Sequence, residues 1–509
     1  MRIFGKFLSG MLLTCCALTA QLWSAEYDLG VKEHIFDNGL RLLVIEQPEN
    51  HRVACKIFTD MGAFNETVGD LGSAHYLEHL MFKGTPTLGS RDWTKEKPFI
   101  DQITTTEKAL IAAQNKARNA LTQRGVFLEY QHAESTPEID SLRAEIDRLN
   151  RESAHLRKNG EMMRWYQGFG GEKLTATTEQ EYMKFDINLP KERVAVFLRV
   201  EADRMRNTVF REFDQERMIL VEQRYGDLNR LTTPYYEAMN AMVQTVHPVY
   251  WPEGWLSDFY QYTREYERNL FETFFVPNNT TLIFIGGVTM EQMVRLTEHY
   301  FGWMERAPEP PFVKAIEPKP LAEKRLVWRS EKLAPRVEIR FKIPAIGHPE
   351  RPHFDVFGEA LSQTLSASLK KAGVFGSVNV NTRVVHTARF GVPGTMNAEV
   401  VLQNENDLEK TERVMLETFE ALKKTPVKKD VLDYAKKKLR VAWRRTAQDP
   451  DRLAFEIGHF QTMDHWTTLE KHLSLREKTS ADNIQSLAKK YLIAENRNVG
   501  VVRKPEGGQ

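Results

Sequence analysis

Cysteine is nearly absent. The 509-residue chain has three, Cys15, Cys16 and Cys55. The first two lie inside an N-terminal apolar run, so beyond that run only Cys55 remains and no internal disulfide framework can form. The same shortage excludes a cysteine-based zinc site and leaves histidine and carboxylate as the available metal ligands. An excess of either charge is missing too. The 70 basic residues stand against 69 acidic ones, a net of +1, which gives no long-range attraction to phosphate and argues against a nucleic-acid partner. There is a single long apolar run, and the mean hydropathy is -0.47, so a polytopic membrane protein is excluded. Disorder is excluded by the other side of the composition, 41% hydrophobic with 27% charged residues of balanced sign. The length fits about two to four domains, each large enough to bury its own core.

The apolar run occupies residues 7–23 behind Arg2 and Lys6, with the small residues Ser24 and Ala25 after it. A basic start, a short greasy stretch and small residues describe a secretory signal peptide over residues 1–25. Trp23 fits poorly three residues before a cut after Ala25, and an uncleaved membrane anchor is the alternative. Either way the expected location is periplasmic or secreted, with no membrane contact beyond this segment.

Past residue 26 the chain reads as two α/β halves. Asp37-Asn38-Gly39 turns between two apolar strands, a hairpin signal. Residues 53–59 read as a strand, and Gly72-Ser73 opens a helix with Ser73 as its expected cap. Residues 280–287 form a buried-strand run followed by an amphipathic helix over 290–301. Pro308, Pro310, Pro311 and Pro318 mark a linker over 307–324, because proline blocks both helix and central strand. Beyond it the pattern restarts with strands at 325–328 and 337–343, a helix at 352–369 and a helix pair over 408–446, which suggests an internal duplication. The expected domains are therefore 26–306 and 325–505. An inserted helical hairpin is expected within about 96–162, where Ile139, Leu142, Ile146, Leu149 and Leu156 recur at three- and four-residue steps.

The chemistry concentrates in His75-Tyr76-Leu77-Glu78-His79. Residues four apart share a helix face, so both imidazoles can reach one ion. Glu78 lies beside them and can take a proton from water without ligating the ion itself. This H-x-x-E-H pattern is the inverted form of the zinc-peptidase helix motif.

In its wider setting, from Gly62 through Gly72-Ser73-Ala74-His75 to Phe82-Lys83-Gly84-Thr85, the motif resembles the signature of the pitrilysin/insulinase family of zinc metallopeptidases, in its long-insert bacterial form. The resemblance extends to Gly170-Gly171, Phe210-Arg211-Glu212-Phe213 and Val276-Pro277-Asn278-Asn279, and it fades in the second half. It implies an α/β (α+β) clamshell of two homologous domains, each a mainly antiparallel sheet packed against helices. It also implies one zinc ion in the first domain and peptide-bond hydrolysis by activated water, with Glu78 catalytic and His75 and His79 as metal ligands.

The family's third ligand is a glutamate seven residues after the glutamate of a Glu-Arg pair. Here the pair is Glu216-Arg217, and Gln223 stands at the ligand position. A neutral carboxamide is a poor zinc ligand. A local shift could let the adjacent Glu222 ligate, and Glu222 is the expected third ligand, with Glu216 behind the ligands. Alternatively Glu216 or water substitutes, or zinc binds weakly and activity is reduced or lost. The family's substrate-gripping asparagine after Gly-Gly-x-x-Leu is replaced by Thr175, and no Arg/Tyr pair is evident around 364–380. Members lacking that pair draw it from a related subunit, so a homologous partner chain or a homodimer is expected alongside the peptide substrate. Two functions compete: an extracytoplasmic zinc endopeptidase, and a weakened or inactive relative serving as a subunit or peptide-binding shell.

Overall fold

In the computed structural model the described residues are 27–126, 135–246, 254–311, 316–384 and 393–505. The signal or anchor segment expected over residues 1–25 lies outside them. Two mixed sheets organise the chain. The first runs β1-β2-β6-β3-β5-β4 and the second β7-β11-β8-β10-β9.

In chain order, β1 (Lys32–Ile35), β2 (Arg41–Glu46) and β3 (Arg52–Thr59) are followed by helix α1 (Ser73–Met81). The insertion then supplies α2 (Trp93–Gln123), α3 (Pro137–Ser153) and α4 (Glu161–Gly168). The chain returns through β4 (Glu172–Thr178), β5 (Met183–Pro190), α5 (Val194–Asn207), α6 (Phe213–Leu228), α7 (Thr233–Val243), a short α8 (Leu256–Phe259), α9 (Arg264–Phe274), β6 (Thr280–Gly286) and α10 (Met290–Phe301). The second half has β7 (Lys324–Arg329), β8 (Arg336–Ile343), α11 (Arg351–Lys371), β9 (Gly376–Val384), β10 (Gly394–Leu402), α12 (Leu408–Lys424), α13 (Lys429–Ala447), α14 (Pro450–Met463), α15 (Thr467–Glu477), α16 (Ala481–Tyr491) and β11 (Arg497–Arg503).

The duplication is visible in the pairing. β2 runs parallel to β6, which is antiparallel to β3. β7 runs parallel to β11, which is antiparallel to β8. The remaining strands, β5 and β4 in one sheet and β10 and β9 in the other, follow in the same antiparallel sense. Apart from the extra β1, the two sheets are the same diagram drawn twice.

Each sheet buries one face against helices of its own half. Val53, Cys55 and Ile57 of β3 join α1, α5 and α10 in one core. Val337, Ile339, Phe341 and Ile343 of β8 join α11, α12 and α16 in another. The opposite face is covered by a helix from the other half. Leu43, Ile45, Ala54, Phe58, Ile283 and Ile285 pack against Leu453, Ala454 and Ile457 of α14. In return, Tyr235 and Met239 of α7 pack with Val502 on the second sheet. Glycine permits both close approaches. A Cβ on Gly458 of α14 would stand 2.2 Å from the Phe58 ring, and one on Gly500 of β11 would stand 2.5 Å from Met239 Sδ.

The inserted hairpin has its own small core, in which Ile139, Ile146 and Leu149 of the expected stripe meet Ile103, Leu110 and Ala113 of α2, with Leu142 packed against them. Its base is tied to the first half by buried ion pairs, Glu96 with Arg211 at 2.7 Å and Glu107 with Arg264 at 2.6 Å. Among the described residues no helix is long and apolar enough to cross a membrane.

Candidate metal centre

Helix α1 carries the motif. Its N-terminus differs from expectation: Gly72, not Ser73, takes the cap position, with φ of 94°, a conformation that glycine adopts without strain. The terminal N–H groups are satisfied from a distance. Gly72 N and Ala74 N donate to Glu66 at 2.8 and 2.7 Å, where the helix dipole favours a negative charge. Burial nevertheless pushes the Glu66 carboxyl up to about 8, against the pull of those two bonds. The helix is further pinned by Tyr262 to the Leu71 carbonyl and Tyr76 to the Phe213 carbonyl. Tyr76, Leu77, Leu80 and Met81 face the core, so the remaining face presents His75, Glu78 and His79.

The two imidazoles meet edge to face, with ring centroids 4.8 Å apart. Burial, with a smaller contribution from His79, pushes His75 down to about 3, so its ring is neutral. Its Nδ1 is buried and has no hydrogen-bond partner. His79 Nδ1 lies 2.9 Å from Glu216 Oε2, a carboxylate partner that favours the ring proton on that nitrogen. Glu78 is 8% exposed. Thr178 of β4 donates to its Oε2 at 2.6 Å. Burial raises its proton affinity above the ordinary glutamate range, and the Thr178 bond only partly opposes this.

Behind the pair, Lys83 joins Glu216 and, at 2.9 Å, Glu212. Burial alone would raise the Glu216 value, but the hydrogen bonds from His79 and Lys83 outweigh it and hold the carboxyl below its ordinary range. Glu212 sits at the cap of α6 in the left-handed region with φ of 54°, uncommon for a residue with a side chain.

Glu222, the expected third ligand, and Gln223 are both exposed on α6. Glu216 faces His79, and six residues further along Glu222 is turned roughly 120° away. Gln223 returns to the Glu216 face but carries no carboxylate. Among the described residues no group of three or more histidine, cysteine, aspartate or glutamate side chains is placed to hold a metal ion. The donor set fits zinc as far as it goes, with two imidazoles, one of them held by a carboxylate. Among the described residues no third protein donor is grouped with them.

Thr175, expected to grip substrate, is exposed on β4 just beyond a bulge and donates to the Ala176 carbonyl at 3.2 Å. The residue of this strand that reaches the site is Thr178, three places on. Its sequence signal was weak, one more threonine in a Thr-Ala-Thr-Thr run. Lys83 was in view as part of the quoted signature without a role. Glu66 had no signal, since a carboxylate six residues before a helix looks like a loop charge.

Comparisons with known proteins agree with this picture. Residues 41–98 match the family model described as insulinase (peptidase family M16), and residues 261–439 match the peptidase M16 inactive domain. The zinc protease PqqE of Helicobacter pylori is 23% identical over 235 residues, which cover 44% of this chain and 52% of that protein. The aligned stretch thus spans about half the length of this relative. A crystal structure of a protease from Helicobacter pylori superposes with a TM-score of 0.72 at 16% identity, covering 93% of this chain and 99% of that one. The first half of the periplasmic protease PqqL from Escherichia coli superposes with a TM-score of 0.66 at 12% identity, covering 94% and 92%.

Proposed function

The chain belongs to the pitrilysin/insulinase family of peptidases, and from that premise we propose that it is an extracytoplasmic zinc metallo-endopeptidase acting on peptides or unfolded polypeptides. The observation that carries this reading is the arrangement on α1. Two imidazoles are in contact, one of them oriented by Glu216, and Glu78 beside them has one oxygen tied to Thr178. His75 and His79 would hold the ion. Zinc, when bound, lowers the pKa of a water toward about 7 and polarises a carbonyl.

The chain's own residues supply the rest. Glu78 accepts a proton from the attacking water and passes it to the leaving amine, and its raised proton affinity suits a group that must both take and give at neutral pH. Thr178 holds Oε2 and so aims Oε1. β4, the last strand of its sheet, leaves an edge beside the site to which an extended peptide can add by main-chain hydrogen bonds. The apolar run behind Arg2 and Lys6 supports a location outside the cytoplasm.

The exposed Glu222 and Gln223 favour a second reading, a metal-weakened member working as a subunit with a related chain. One experiment separates the two. The full chain is assayed on a quenched fluorescent peptide with and without a chelator, beside Glu78→Gln. The endopeptidase reading expects cleavage that the chelator stops and that Glu78→Gln lowers by about 10²–10⁴-fold. Absence of cleavage, or cleavage indifferent to both changes, sinks it.

A further inference from the structure

The segment after the motif helix is held with unusual completeness. Gly84 has φ of 88°, and a Cβ there would stand 2.2 Å from the Leu88 carbonyl oxygen, so the turn over residues 83–88 needs glycine at this point. Its carbonyls point inward to one side chain. Arg211 Nη1 donates to Lys83 O at 2.9 Å and Leu88 O at 3.3 Å, and Nη2 donates to Thr85 O at 2.9 Å. The same guanidinium takes a bidentate grip on Glu96, with Nε to Oε1 at 2.7 Å and Nη2 to Oε2 at 3.1 Å. Glu96 is in the first turn of α2, the long helix of the insertion, and is fully buried.

The other end of the turn reaches the imidazoles. Lys83 Nζ bridges Glu212 and Glu216. Glu216 divides its two oxygens, Oε1 to Lys83 and Oε2 to His79 Nδ1. An unbroken polar chain therefore runs from Glu96 on the inserted hairpin through Arg211 to the Lys83 backbone, and from the Lys83 side chain through Glu216 to the His79 ring. A carboxylate free to rotate would offer either oxygen, or neither, to the imidazole. One clamped at Oε1 offers Oε2 in a fixed direction.

We infer that Lys83 is a positioning residue for the imidazole pair, fixing the His79 ring and its tautomer through Glu216, and that the inserted hairpin sets Lys83 through the Glu96–Arg211 pair. The insertion is then a strut of the candidate metal centre as well as an appendage with its own core. This rests on the reading of His75 and His79 as ligands only for its effect on metal affinity. The effect on tautomer stands without any metal.

The test uses the full chain and the variants Lys83→Met, Lys83→Arg and Glu96→Gln. The first readout is ¹⁵N NMR of the histidine rings without metal at about pH 8, where an ordinary imidazole is neutral. The second is zinc affinity by competition with a chromophoric chelator. In the wild type His79 is expected as the Nδ1–H tautomer. Lys83→Met should give a mixture of tautomers and a zinc affinity lower by about 10–100-fold, the usual loss when a ligand's hydrogen-bond partner is disturbed. Lys83→Arg, which keeps the charge and the donors, should restore the single tautomer. Glu96→Gln, far from the ring and mild in volume, should shift the tautomer ratio in the same direction by less. An unchanged tautomer in both Lys83→Met and Glu96→Gln overturns the inference. If Lys83→Met fails to fold, Glu96→Gln alone decides it. Failure of the wild type to bind zinc counts against the proposed function and leaves the tautomer result to judge this one.

Discussion

The two halves share one strand diagram and place a helix at the same point of it, yet their polar groups are arranged to opposite effect. On α1, His75 Nδ1 has no partner and Glu78 has one oxygen committed. On α11, the polar residues are bound to one another. Asp355 meets His472 at 2.7 Å and Arg351 at 2.8 Å, Arg351 reaches the Thr382 carbonyl at 2.6 Å, and His353 meets Thr479 at 2.8 Å. Burial would raise Asp355, but His472 and Arg351 on either side outweigh it and hold the carboxyl well below its ordinary range. Asp355, with one oxygen on Arg351 and the other on His472, stabilises the fold and has little left to offer a ligand. The first half keeps reactive atoms in reserve, and the second turns the same position into structure.

The faces under the exchanged helices differ in a parallel way. Beneath α14 the first sheet presents Leu43, Ala54 and Phe58, with buried Lys56 paired to Asp186 and to Asp451 of α14 itself. Beneath α7 the second presents charges, with Arg336 paired to Glu399, Arg340 to Glu338 and Lys342 to Glu317. Tyr235 and Tyr236 of α7 donate to Glu338 and Glu399 at 3.0 and 2.9 Å. The first joint is mainly apolar with one buried lysine tied to two carboxylates, and the second carries a larger share of paired charges.

The sharpest way to break the comparison is to unbalance the second half. Asp355→Ala strands buried Arg351 and His472 and should cost about 3 kcal/mol of stability, read by urea unfolding, with peptide cleavage per folded molecule unchanged. A loss of cleavage at full stability would show that α11 is more than structure. Next is the packing of the joints. Gly458→Ala drives a methyl into Phe58 and should destabilise by about 2 kcal/mol, and thermal unfolding should register it more strongly than the same change at the exposed, open position Gly226. Third, Gln223→Glu adds a carboxylate to the Glu216 face and should tighten zinc binding by about tenfold or more, while Glu222→Ala leaves it unchanged. Chelator competition checks both, and a fall in affinity with Glu222→Ala would reinstate that residue as a ligand.

The smallest effect is pH-dependent. Glu317 accepts from Lys342, Thr245 and Val246, and although burial alone would raise its carboxyl, these bonds bring it down to about 2 from an ordinary 4.5. A depressed carboxyl stabilises the fold above its unfolded value, and that stability is lost as pH falls through the folded value. The melting-temperature gap between wild type and Glu317→Gln should therefore be full above about pH 4.5 and close toward about pH 2.

Much of this was legible in the residues. The Asp37-Asn38-Gly39 turn, the restart of the strand pattern after the prolines and the stripe in the insertion follow from periods and turn chemistry that act locally. The imidazole pair follows from a single helical turn. The exchange of α7 and α14 was not legible, because an amphipathic helix announces that it will cover something apolar without saying which sheet. Thr178, Glu66 and Lys83 were missed for a related reason, since each acts across a gap in sequence that no local period spans. For the third ligand, adjacency along the chain points to Glu222 while direction around the helix separates it from the Glu216 face.

The exchange has a consequence for synthesis. The first sheet is complete once residue 286 has left the ribosome, but its cover, Pro450–Met463, is made more than a hundred and fifty residues later. Through that interval Phe58, Ile283 and Ile285 have no lid, and a nascent chain with such a surface is a client for holding chaperones. Once made, the molecule gains the opposite property. A nick in the proline-rich connection should leave a single particle, because each half already holds the other's sheet.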